Sequence, residues 1–298
     1  MNTKRTTLHL FSYQIHLKAD PGLIFGEAIT RYGLKSGAAE SALEKKNEIF
    51  EKAIWGLPFL IGPRRRVGTG KIILKKNQAS EAGRFLLKIG CEKRANMPDE
   101  NLQDKELSYF PYVYAFFDNR PDKQVLAVQH NQQVFFDPHV VADILQKSAN
   151  MGLSEVNLEC SILPQFEEKE FWNFVSSHKK KIKRLQFLVV APNLPRISAS
   201  IPEELNELQK SIHSQSAKID FQSLKDSHLT VERDNEAIAG LAKAAAAGGG
   251  EIKAVLKGFK KLVNMKKGTK EISIDELQVD GPPEAVLKTI SDVVDKIE

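Results

Sequence analysis

The sequence predicts a protein of the α/β (α+β) class: a mixed open sheet built from a hairpin followed by alternating helices and strands, with smaller N-terminal and C-terminal α+β parts. The first observation is an aromatic and apolar run at 109–117 that ends in turn residues at 118–122, as a strand entering a turn does. The second is Asp137-Pro138, a helix N-cap followed by proline at the first helical position. The third is the continuously apolar run 185–191, which is typical of a strand in a sheet covered on both faces.

The central part of the chain, 108–225, is predicted to be an α/β domain that contains these three signals. The helix that begins at Pro202 has Leu205, Leu208 and Ile212 on one side, which indicates an apolar face. In order, the predicted elements are strands at 109–117 and 124–136, a helix at 137–152, a strand at 155–163, a helix at 167–183, a strand at 185–191, the helix from 202 and a strand at 219–224.

The N-terminal part, 1–107, is predicted to be a basic α+β domain. Its first strand alternates apolar and polar residues with a change of phase at Phe11-Ser12, which indicates a β-bulge. Residues 93–107 are charged and polar, so we expect a linker there and a boundary near 107. The predicted elements are a strand at 4–17, helices at 20–33 and 38–55, and strands at 67–76 and 84–91 separated by a turn at 77–80.

The C-terminal part, 226–298, is predicted to be an α+β module with a basic loop. Asp234-Asn235 is expected to cap a helix that runs through four alanines into the triple glycine at 248–250. Alanine favours a helix, and glycine ends it where the chain turns. The other predicted elements are strands at 228–232, 251–256 and 272–279 and a terminal amphipathic helix at 284–297.

The composition is that of a folded globular protein. Of 298 residues, 42% are hydrophobic and 27% are charged, which excludes an intrinsically disordered chain. No apolar run approaches the roughly 18 residues of a spanning helix, and the polar start at 1–5 lacks the apolar core of a secretion signal. We therefore expect a cytoplasmic protein without a transmembrane segment. Cys91 and Cys160 have no metal-ligand spacing, so we expect buried thiols.

Positive charge is concentrated in three short stretches. Residues 64–94 contain ten Lys or Arg and two Glu, 251–270 contain seven Lys and one Glu, and 179–184 contain five basic residues. The net charge of the whole chain is only +5, so the remainder is strongly acidic. Such segregation indicates a polyanionic partner. The cations at 179–184 have a simpler explanation, since they follow a predicted helix and complement the negative end of its dipole.

The tracts at 64–94 and 251–270 supply the predicted nucleic-acid-binding residues. On a hairpin, alternate residues share a face, so we expect Lys71 and Lys75 to point together and Lys76 to point away. Binding is expected to be independent of base sequence, because neither tract predicts a groove-reading helix. The alternative is that the lysines only solubilise loops. The predicted binding residues are Arg64, Arg65, Arg66, Lys71, Lys75, Lys76, Arg84 and Lys88 near the hairpin, and Lys257, Lys260, Lys261, Lys266 and Lys267 in the basic loop.

No catalytic residue, metal site or cofactor is predicted. Gly68-Thr69-Gly70-Lys71 invites comparison with a phosphate-binding loop, but Arg65 and Ile72 stand where that loop needs glycine and a hydroxyl residue. The seven histidines lack the spacing of a metal motif, and the Gly-x-Ser-x-Gly elbow of serine hydrolases is absent. The carboxylates that could hold a divalent metal in a nuclease are Glu155, Glu159, Asp118, Asp122 and Asp137.

The order hairpin, helix, strand, helix, strand at 109–191, with Phe110-Pro111 before aromatic and apolar residues, resembles bacterial phage-defence proteins of the Rex A type. It is also similar to the DNA-binding subunit of the Kiwa defence system and to related uncharacterised families. The segment from Asp234-Asn235 to the strand at 251–256 resembles their C-terminal module. The resemblance implies a cytoplasmic protein, often a homodimer, that binds double-stranded DNA without sequence preference and signals to an effector. It assigns no residue.

These observations lead to one hypothesis and two alternatives. The hypothesis is a sequence-independent nucleic-acid-binding protein, with double-stranded DNA as the favoured ligand. It would act as a sensor in bacterial antiphage defence, as a homodimer with an effector protein encoded nearby. The first alternative is a metal-dependent nuclease of a defence system. The second is a non-enzymatic adaptor whose basic surfaces bind an acidic protein or an anionic membrane surface.

Overall fold

The computed structural model describes residues 5–18, 21–57, 60, 73–98, 100–191, 194–212, 214–259, 262–275 and 279–296, without the side chains of Lys266 and Lys267. The strands are β1 Arg5–Leu17, β2 Ile73–Glu81, β3 Arg84–Cys91, β4 Lys93–Pro98, β5 Asp104–Tyr109, β6 Tyr112–Asp118, β7 Val125–His130, β8 Leu158–Pro164, β9 Ile182–Val190, β10 Ser216–Gln222, β11 Gly250–Leu256, β12 Val263–Asn264 and β13 Glu271–Asp275. The helices are α1 Gly26–Tyr32, α2 Ala39–Glu44, α3 Lys46–Gly56, α4 Pro138–Leu153, α5 Glu168–Ser177, α6 Pro195–Ser198, α7 Glu203–Ser211, α8 Glu236–Ala244 and α9 Pro283–Asp295. Single turns of 3₁₀ helix lie at Ser154–Val156 and Met265–Gly268, and a π-helical turn lies at Ala245–Gly249.

The predicted α+β class is confirmed, and the strands are distributed over separate sheets. The first sheet has the order β13-β1-β7-β6-β3-β2, with β8 also paired to β1, and the second has the order β10-β9-β11-β12. The pairs within both sheets are antiparallel. The strands predicted to share one central layer are divided, because β8 pairs with β1 whereas β9 packs Leu185, Phe187 and Val189 into a second core.

Strands from all three predicted parts of the chain meet in these sheets. The first sheet combines β1, β2 and β3 with β6, β7 and β8 and with β13, and the second combines β9 and β10 with β11 and β12. The predicted boundaries at 107 and 225 therefore do not separate hydrogen-bonded sheets. The division of the chain into domains at 1–107, 108–225 and 226–298 stays a prediction.

β1 pairs with three other strands, β7, β8 and β13, and is buried on both faces. Leu8 and Leu10 pack towards α9, whereas Phe11, Tyr13 and Ile15 belong to the core beneath the helices α1 to α4. The pairings with β7, β8 and β13 continue without a register shift, so the predicted bulge at Phe11-Ser12 is wrong. The change of phase arises because the apolar layer moves from one face of the strand to the other.

Two of the predicted irregular segments have a different form in the structure. The predicted turn at 77–80 lies inside β2, whose register shifts between Asn77 and Ala79, and the chain turns at Ala82 and Gly83, both with positive φ. The predicted linker at 93–107 is the hairpin β4–β5, which projects as a two-stranded sheet of its own. It lacks a buried face, so it has no apolar alternation to reveal it.

Local signals located most helix ends. Asp137 caps α4 by accepting a hydrogen bond from the His139 backbone N–H, and Asn235 caps α8 in the same way. Gly33 ends α1 in the left-handed conformation, although α1 begins at Gly26 rather than near Pro21. The predicted helix at 38–55 is divided into α2 and α3 at Lys45.

Two predictions in the second half of the chain are wrong in detail. The structure forms no strand at 228–232, although the Leu229 backbone N–H donates to the Ile182 carbonyl. On α7, Leu208 and Ile212 are exposed, and Gln209 is the buried residue of the helix. Leu205, the third predicted residue, is half-buried and packs against the second core, so the buried side of α7 combines one of the predicted apolar residues with a polar one.

Aromatic contacts and small residues fill two of the three hydrophobic cores. In the first, the Tyr13 ring lies 4.7 Å from that of Phe50, and Phe85 lies 4.7 Å from Phe117. In the second, Phe187 and Phe171 from β9 and α5 pack against the alanines of α8. Cys91 and Cys160 are buried free thiols, as predicted. Within the described ranges, no helix has both the length and the hydrophobicity that crossing a bilayer requires.

Candidate nucleic-acid interface

The predicted binding residues near the first hairpin lie on β2 and β3 where the structure describes them. Arg64, Arg65, Arg66 and Lys71 lie outside the described residues, as does the remainder of the loop at 68–71. Lys76 is paired with Lys88 and Lys75 with Ile89. Because directly opposed residues share a face of a sheet, Lys75 and Lys76 point to opposite faces, as the alternation predicts. Lys76 and Lys88 share one face of the sheet and Lys75 lies on the other, so the described lysines of this hairpin are divided between its two faces.

Lys75 contacts the end of a helix instead of solvent. Its ammonium group donates to the carbonyl oxygens of Ile54 and Trp55, at 3.1 Å for the second, in the last turn of α3. Cations are favourable at this negative end of a helix dipole. Burial nevertheless lowers the pKa of Lys75 to about 8. The position of this charge is explained by the contact between β2 and α3.

The lowered pKa of Lys75 predicts a specific dependence of stability on pH. Between pH 8 and the ordinary lysine value of 10.5, the unfolded chain retains a proton that the folded chain has released, so the free energy of unfolding rises with pH. The free energy of unfolding of the wild type, measured relative to that of Lys75→Met, should rise by about 1 kcal/mol between pH 7.5 and 10. This value is reduced from the full effect of the pKa shift because Lys75 is partly exposed. Urea unfolding of both proteins at each pH measures this. Lys76→Met, at an exposed neighbouring position, is the control. The difference in unfolding free energy between the wild type and Lys76→Met should not change with pH. An equal rise in that difference would contradict the assignment of the pH dependence to Lys75.

Arg84 and Lys88 also have partners within the chain. Arg84 lies 3.1 Å from the Asp118 carboxylate and 2.5 Å from that of Asp295. The Lys88 ammonium lies 4.2 Å from the centre of the Tyr112 ring, a cation–π contact. Lys76 is exposed. The role of this stretch in binding nucleic acid stays a prediction.

In the basic stretch at 251–270, the described residue Lys257 lies beside the cations at 179–184. Lys260 and Lys261, like the Lys266 and Lys267 side chains, lie outside what the structure describes, but Lys257 is described at the end of β11. Its backbone N–H donates to the Lys181 carbonyl at 2.7 Å. Since β11 and β9 are antiparallel neighbours, the end of one strand adjoins the start of the other.

Three chain segments meet at this end of the second sheet. The Ser223 backbone N–H donates to the Lys183 carbonyl at 2.9 Å, which brings the loop after β10 to the same place. The Lys183 ammonium donates to the Ser227 carbonyl of that loop. We name the lysines of the three segments the basic end of the second sheet: Lys179, Lys180, Lys181, Lys183, Lys225 and Lys257.

The basic end is accessible and carries little negative charge. Its lysines are exposed except for Lys183, which is half-buried. Asp226 is the one acidic residue in the segments 179–184, 223–229 and 255–259. Arg184, which adjoins the basic end, is neutralised by Asp220: its Nε donates to Oδ1 at 2.8 Å, and this pairing lowers the pKa of Asp220 to about 2. The positive charge that remains for a ligand belongs to the lysines.

An open cleft and exposed apolar side chains adjoin these lysines. The cleft has a volume of about 570 Å³, and its walls include Lys183, Ser223, Lys225 and Val255. Leu224 is 83% exposed and Phe259, two residues after Lys257, is 65% exposed. A lysine-lined groove is suited to the phosphate backbone of a nucleic acid, because lysines there replace condensed counterions.

The structure also groups three histidines that the sequence spacing does not connect. The rings of His9 and His130 lie 5.1 Å apart, and burial lowers the pKa of His9. Nearby, His139 Nδ1 lies 2.7 Å from the Asp137 carboxylate and Nε2 lies 3.1 Å from the Thr269 hydroxyl. A carboxylate, an imidazole and a hydroxyl linked in this order form the arrangement by which enzymes activate a hydroxyl nucleophile. An open cleft of about 250 Å³ adjoins Asp137 and His139, but Thr269 is buried and does not line it. The arrangement therefore joins the segment before β13 to α4.

The carboxylates predicted for a nuclease do not converge. Asp118 is buried between Arg84 and Arg120, and Glu155 pairs with Arg31. Asp137 caps α4. Among the described residues, no group of three or more His, Cys, Asp or Glu side chains could hold a metal ion. The nuclease alternative therefore has no observed metal-binding arrangement to support it.

The convergence of the basic end was not predicted, although the lysines themselves were noted. The sequence explains the run at 179–184 by the dipole of the preceding helix, but α5 ends at Ser177 and the first three lysines lie in the turn beyond it. A usable signal existed. Pairing the predicted strands 185–191 and 251–256 as antiparallel neighbours would have placed the two lysine runs side by side.

Comparison with known proteins assigns no family to this chain. The resemblance to phage-defence proteins of the Rex A and Kiwa types stays an expectation from the order of predicted elements. No protein-family model, no curated protein and no solved structure matches the chain.

Proposed function

We propose that this protein binds nucleic acid, with double-stranded DNA as the favoured ligand, through the phosphate backbone and without base-sequence preference. The observation that supports this proposal is that Lys257, of the tract at 251–270, lies against the lysine run at 179–184, which ends more than seventy residues earlier in the sequence. Exposed lysines that approach phosphates release condensed counterions, and this release drives sequence-independent binding.

The geometry of the basic end favours contact with the backbone over base readout. Its lysines lie on turns and strand ends, after α5 and at the ends of β10 and β11. Side chains in such positions reach phosphates but do not enter a groove as the face of a recognition helix does. Affinity is therefore expected to be similar for duplexes of unrelated sequence.

Titration of DNA binding against salt tests the proposal. Fluorescence anisotropy with two labelled duplexes of unrelated sequence should give a linear log–log plot whose slope is about −0.9 for each phosphate contact. A Lys179→Gln, Lys181→Gln, Lys257→Gln variant should reduce the slope by up to about 0.9 per lysine in contact and weaken binding to both duplexes by roughly tenfold or more.

A matched variant controls for the loss of net charge. Lys52, Lys147 and Lys288 are exposed lysines on α3, α4 and α9, and replacing all three with glutamine removes the same charge at sites around the first sheet. This variant should retain the wild-type slope and affinity. A wild-type slope near zero, or an equal loss in the control variant, would refute binding at the basic end.

The remaining functional expectations stay predictions with tests of their own. Replacing Arg64, Arg65 and Arg66 with glutamate in the wild type would show whether the basic stretch at 64–94 contributes to the affinity for DNA.

Incubating the protein with plasmid and Mg²⁺ or Mn²⁺ separates a binder, which leaves the plasmid intact, from a nuclease. The adaptor alternative, the homodimer, the effector partner and the role as a sensor in antiphage defence require tests in cells.

A further inference from the structure

One end of the first sheet has a face that α9 leaves partly uncovered. The helix packs over Leu86 and Phe116, which share a core with its own residues Leu287 and Ile290. Alternate residues of β3 lie on the same face as Leu86, and so do the residues directly opposite them on β2 and β6. We name the next two cross-strand rows the open face of the first sheet: Lys76, Lys88 and Tyr114, followed by Leu74, Gly90 and Tyr112.

The open face presents an aromatic ring that is both exposed and held in place. Tyr112 is 41% exposed. Its ring makes an edge contact with that of Tyr114 at 5.6 Å, and Tyr114 is itself buried in the core beneath α9. The Lys88 ammonium lies 4.2 Å from the centre of the Tyr112 ring and 5.4 Å from that of Tyr114. The exposed ring is therefore supported by the protein on one side and accessible on the other.

Two lysines of the open face form a pair of like charges. Lys76 on β2 lies directly opposite Lys88 on β3, and like charges in this position destabilise a sheet. Neither row contains an acidic residue. Glu92, which follows β3, accepts a hydrogen bond from the Ser108 hydroxyl and lies 3.8 Å from Arg94 Nε. An anion bound between the two lysines would remove their repulsion, so the open face is suited to a phosphate group.

The combination of ring and lysines favours a single strand over a duplex. The flat face of every base can stack on an aromatic side chain, but in a duplex the bases are already stacked on their neighbours. A sheet with exposed aromatic rings is a surface on which unpaired bases are bound. A second copy of the chain is disfavoured as the occupant, because a two-fold axis places the same patch on both sides of the contact. It would bring Lys76 and Lys88 of both copies together.

We propose that the open face binds single-stranded nucleic acid, with one base stacked on Tyr112 and an adjoining phosphate bound by Lys76 and Lys88. Leu74, which is 40% exposed in the same row as Tyr112, provides an apolar contact beside the stacked base. The open face belongs to the first sheet, whereas the basic end belongs to the second. This site therefore goes beyond duplex binding at the basic end and does not depend on it.

Fluorescence anisotropy with a labelled fifteen-nucleotide oligothymidylate tests the stacking contact. The wild type should bind this probe, and Tyr112→Ala should weaken binding about fivefold or more, since one base–aromatic contact contributes that much. Tyr112→Phe retains the ring and should retain the affinity. Phe136→Ala removes another exposed ring, outside the open face, and should change nothing. Equal affinity of Tyr112→Ala and the wild type, or no binding by the wild type at low salt, would overturn the proposal.

The salt dependence of the same binding tests the phosphate contact. The double variant Lys76→Gln, Lys88→Gln should reduce the log–log slope by up to about 0.7 for each lysine in contact with a single strand. The control Lys52→Gln, Lys147→Gln removes two exposed lysines from α3 and α4 and should retain the wild-type slope. An unchanged slope in the folded Lys76→Gln, Lys88→Gln variant would contradict the assignment of the phosphate to this face.

Combined variants distinguish the open face from the basic end. Tyr112→Ala should leave the affinity for duplex DNA unchanged, and it should weaken oligothymidylate binding by the same factor when added to the Lys179→Gln, Lys181→Gln, Lys257→Gln variant. Failure of duplex binding would refute the proposed function alone, whereas loss of the Tyr112 effect in the combined variant would overturn the open face as a separate site. Conversion of an oligomer to a monomer by Tyr112→Ala, with oligothymidylate affinity unchanged, would make this face an interface between copies and overturn the proposal.

Discussion

Replacing Asp118 with alanine is expected to lower the free energy of unfolding by about 3 kcal/mol or more. The Asp118 side chain is fully buried at the end of β6, and it lies 3.1 Å from Arg84 and 2.6 Å from Arg120. Asp295 of α9 contacts both arginines from the solvent side. Without Asp118, two partly buried guanidinium groups would depend on this single exposed carboxylate.

Equilibrium urea unfolding of Asp118→Ala and the wild type measures this loss. Asp122→Ala is the matched control, since Asp122 is an exposed aspartate in the turn that follows, and its loss should change stability by no more than about 0.5 kcal/mol. Equal stability of Asp118→Ala and the control would show that the arginines find adequate partners in Asp295 and solvent.

Replacing Gly250 with alanine is expected to destabilise the protein by about 3 kcal/mol. A Cβ atom at this position would lie 2.0 Å from the carbonyl oxygen of Leu188 on β9. The obstacle is backbone within a sheet, because Gly250 opens β11 and is paired with Val189. Relief of the clash therefore requires the two strands to separate locally, with loss of hydrogen bonds in the second sheet.

Thermal unfolding of Gly250→Ala compared with Gly281→Ala provides the test. An added Cβ at Gly281 meets no atom within 4 Å, so the control substitution should be neutral or slightly stabilising through the unfolded chain. If Gly250→Ala were as stable as the control, β11 would have to tolerate a larger spacing from β9 than the structure shows.

Local chemistry allowed several elements to be predicted from sequence. Asp137-Pro138 and Asn235 identified helix starts because capping depends on residues only a few positions apart. The hairpin β6–β7 was found because an aromatic run meets turn residues at 118–122. The partition of strands between two sheets was not predicted, because β1 pairs with partners as distant as β13 and no local pattern encodes that choice.

The candidate sites show the same limit. The lysines of the basic end were visible as charge runs, but their meeting depends on the pairing of β9 with β11. Gln209 was missed for another reason: the apolar residues Leu208 and Ile212 suggested the buried side of α7, whereas the structure exposes both and buries the amide. Periodicity weighs hydrophobicity alone, so it identifies Leu205, which packs against the second core, but does not reveal a buried glutamine beside it.

The position of β1 has a consequence for how the chain acquires its structure during synthesis. β1 ends at Leu17, whereas the neighbour that completes its other side, β13, begins at Glu271. A ribosome therefore releases β1 long before its last neighbour exists, and contacts of such long sequence separation form slowly. Until then, the nascent β1 exposes unpaired backbone and apolar side chains, a state that favours aggregation and that chaperones counteract.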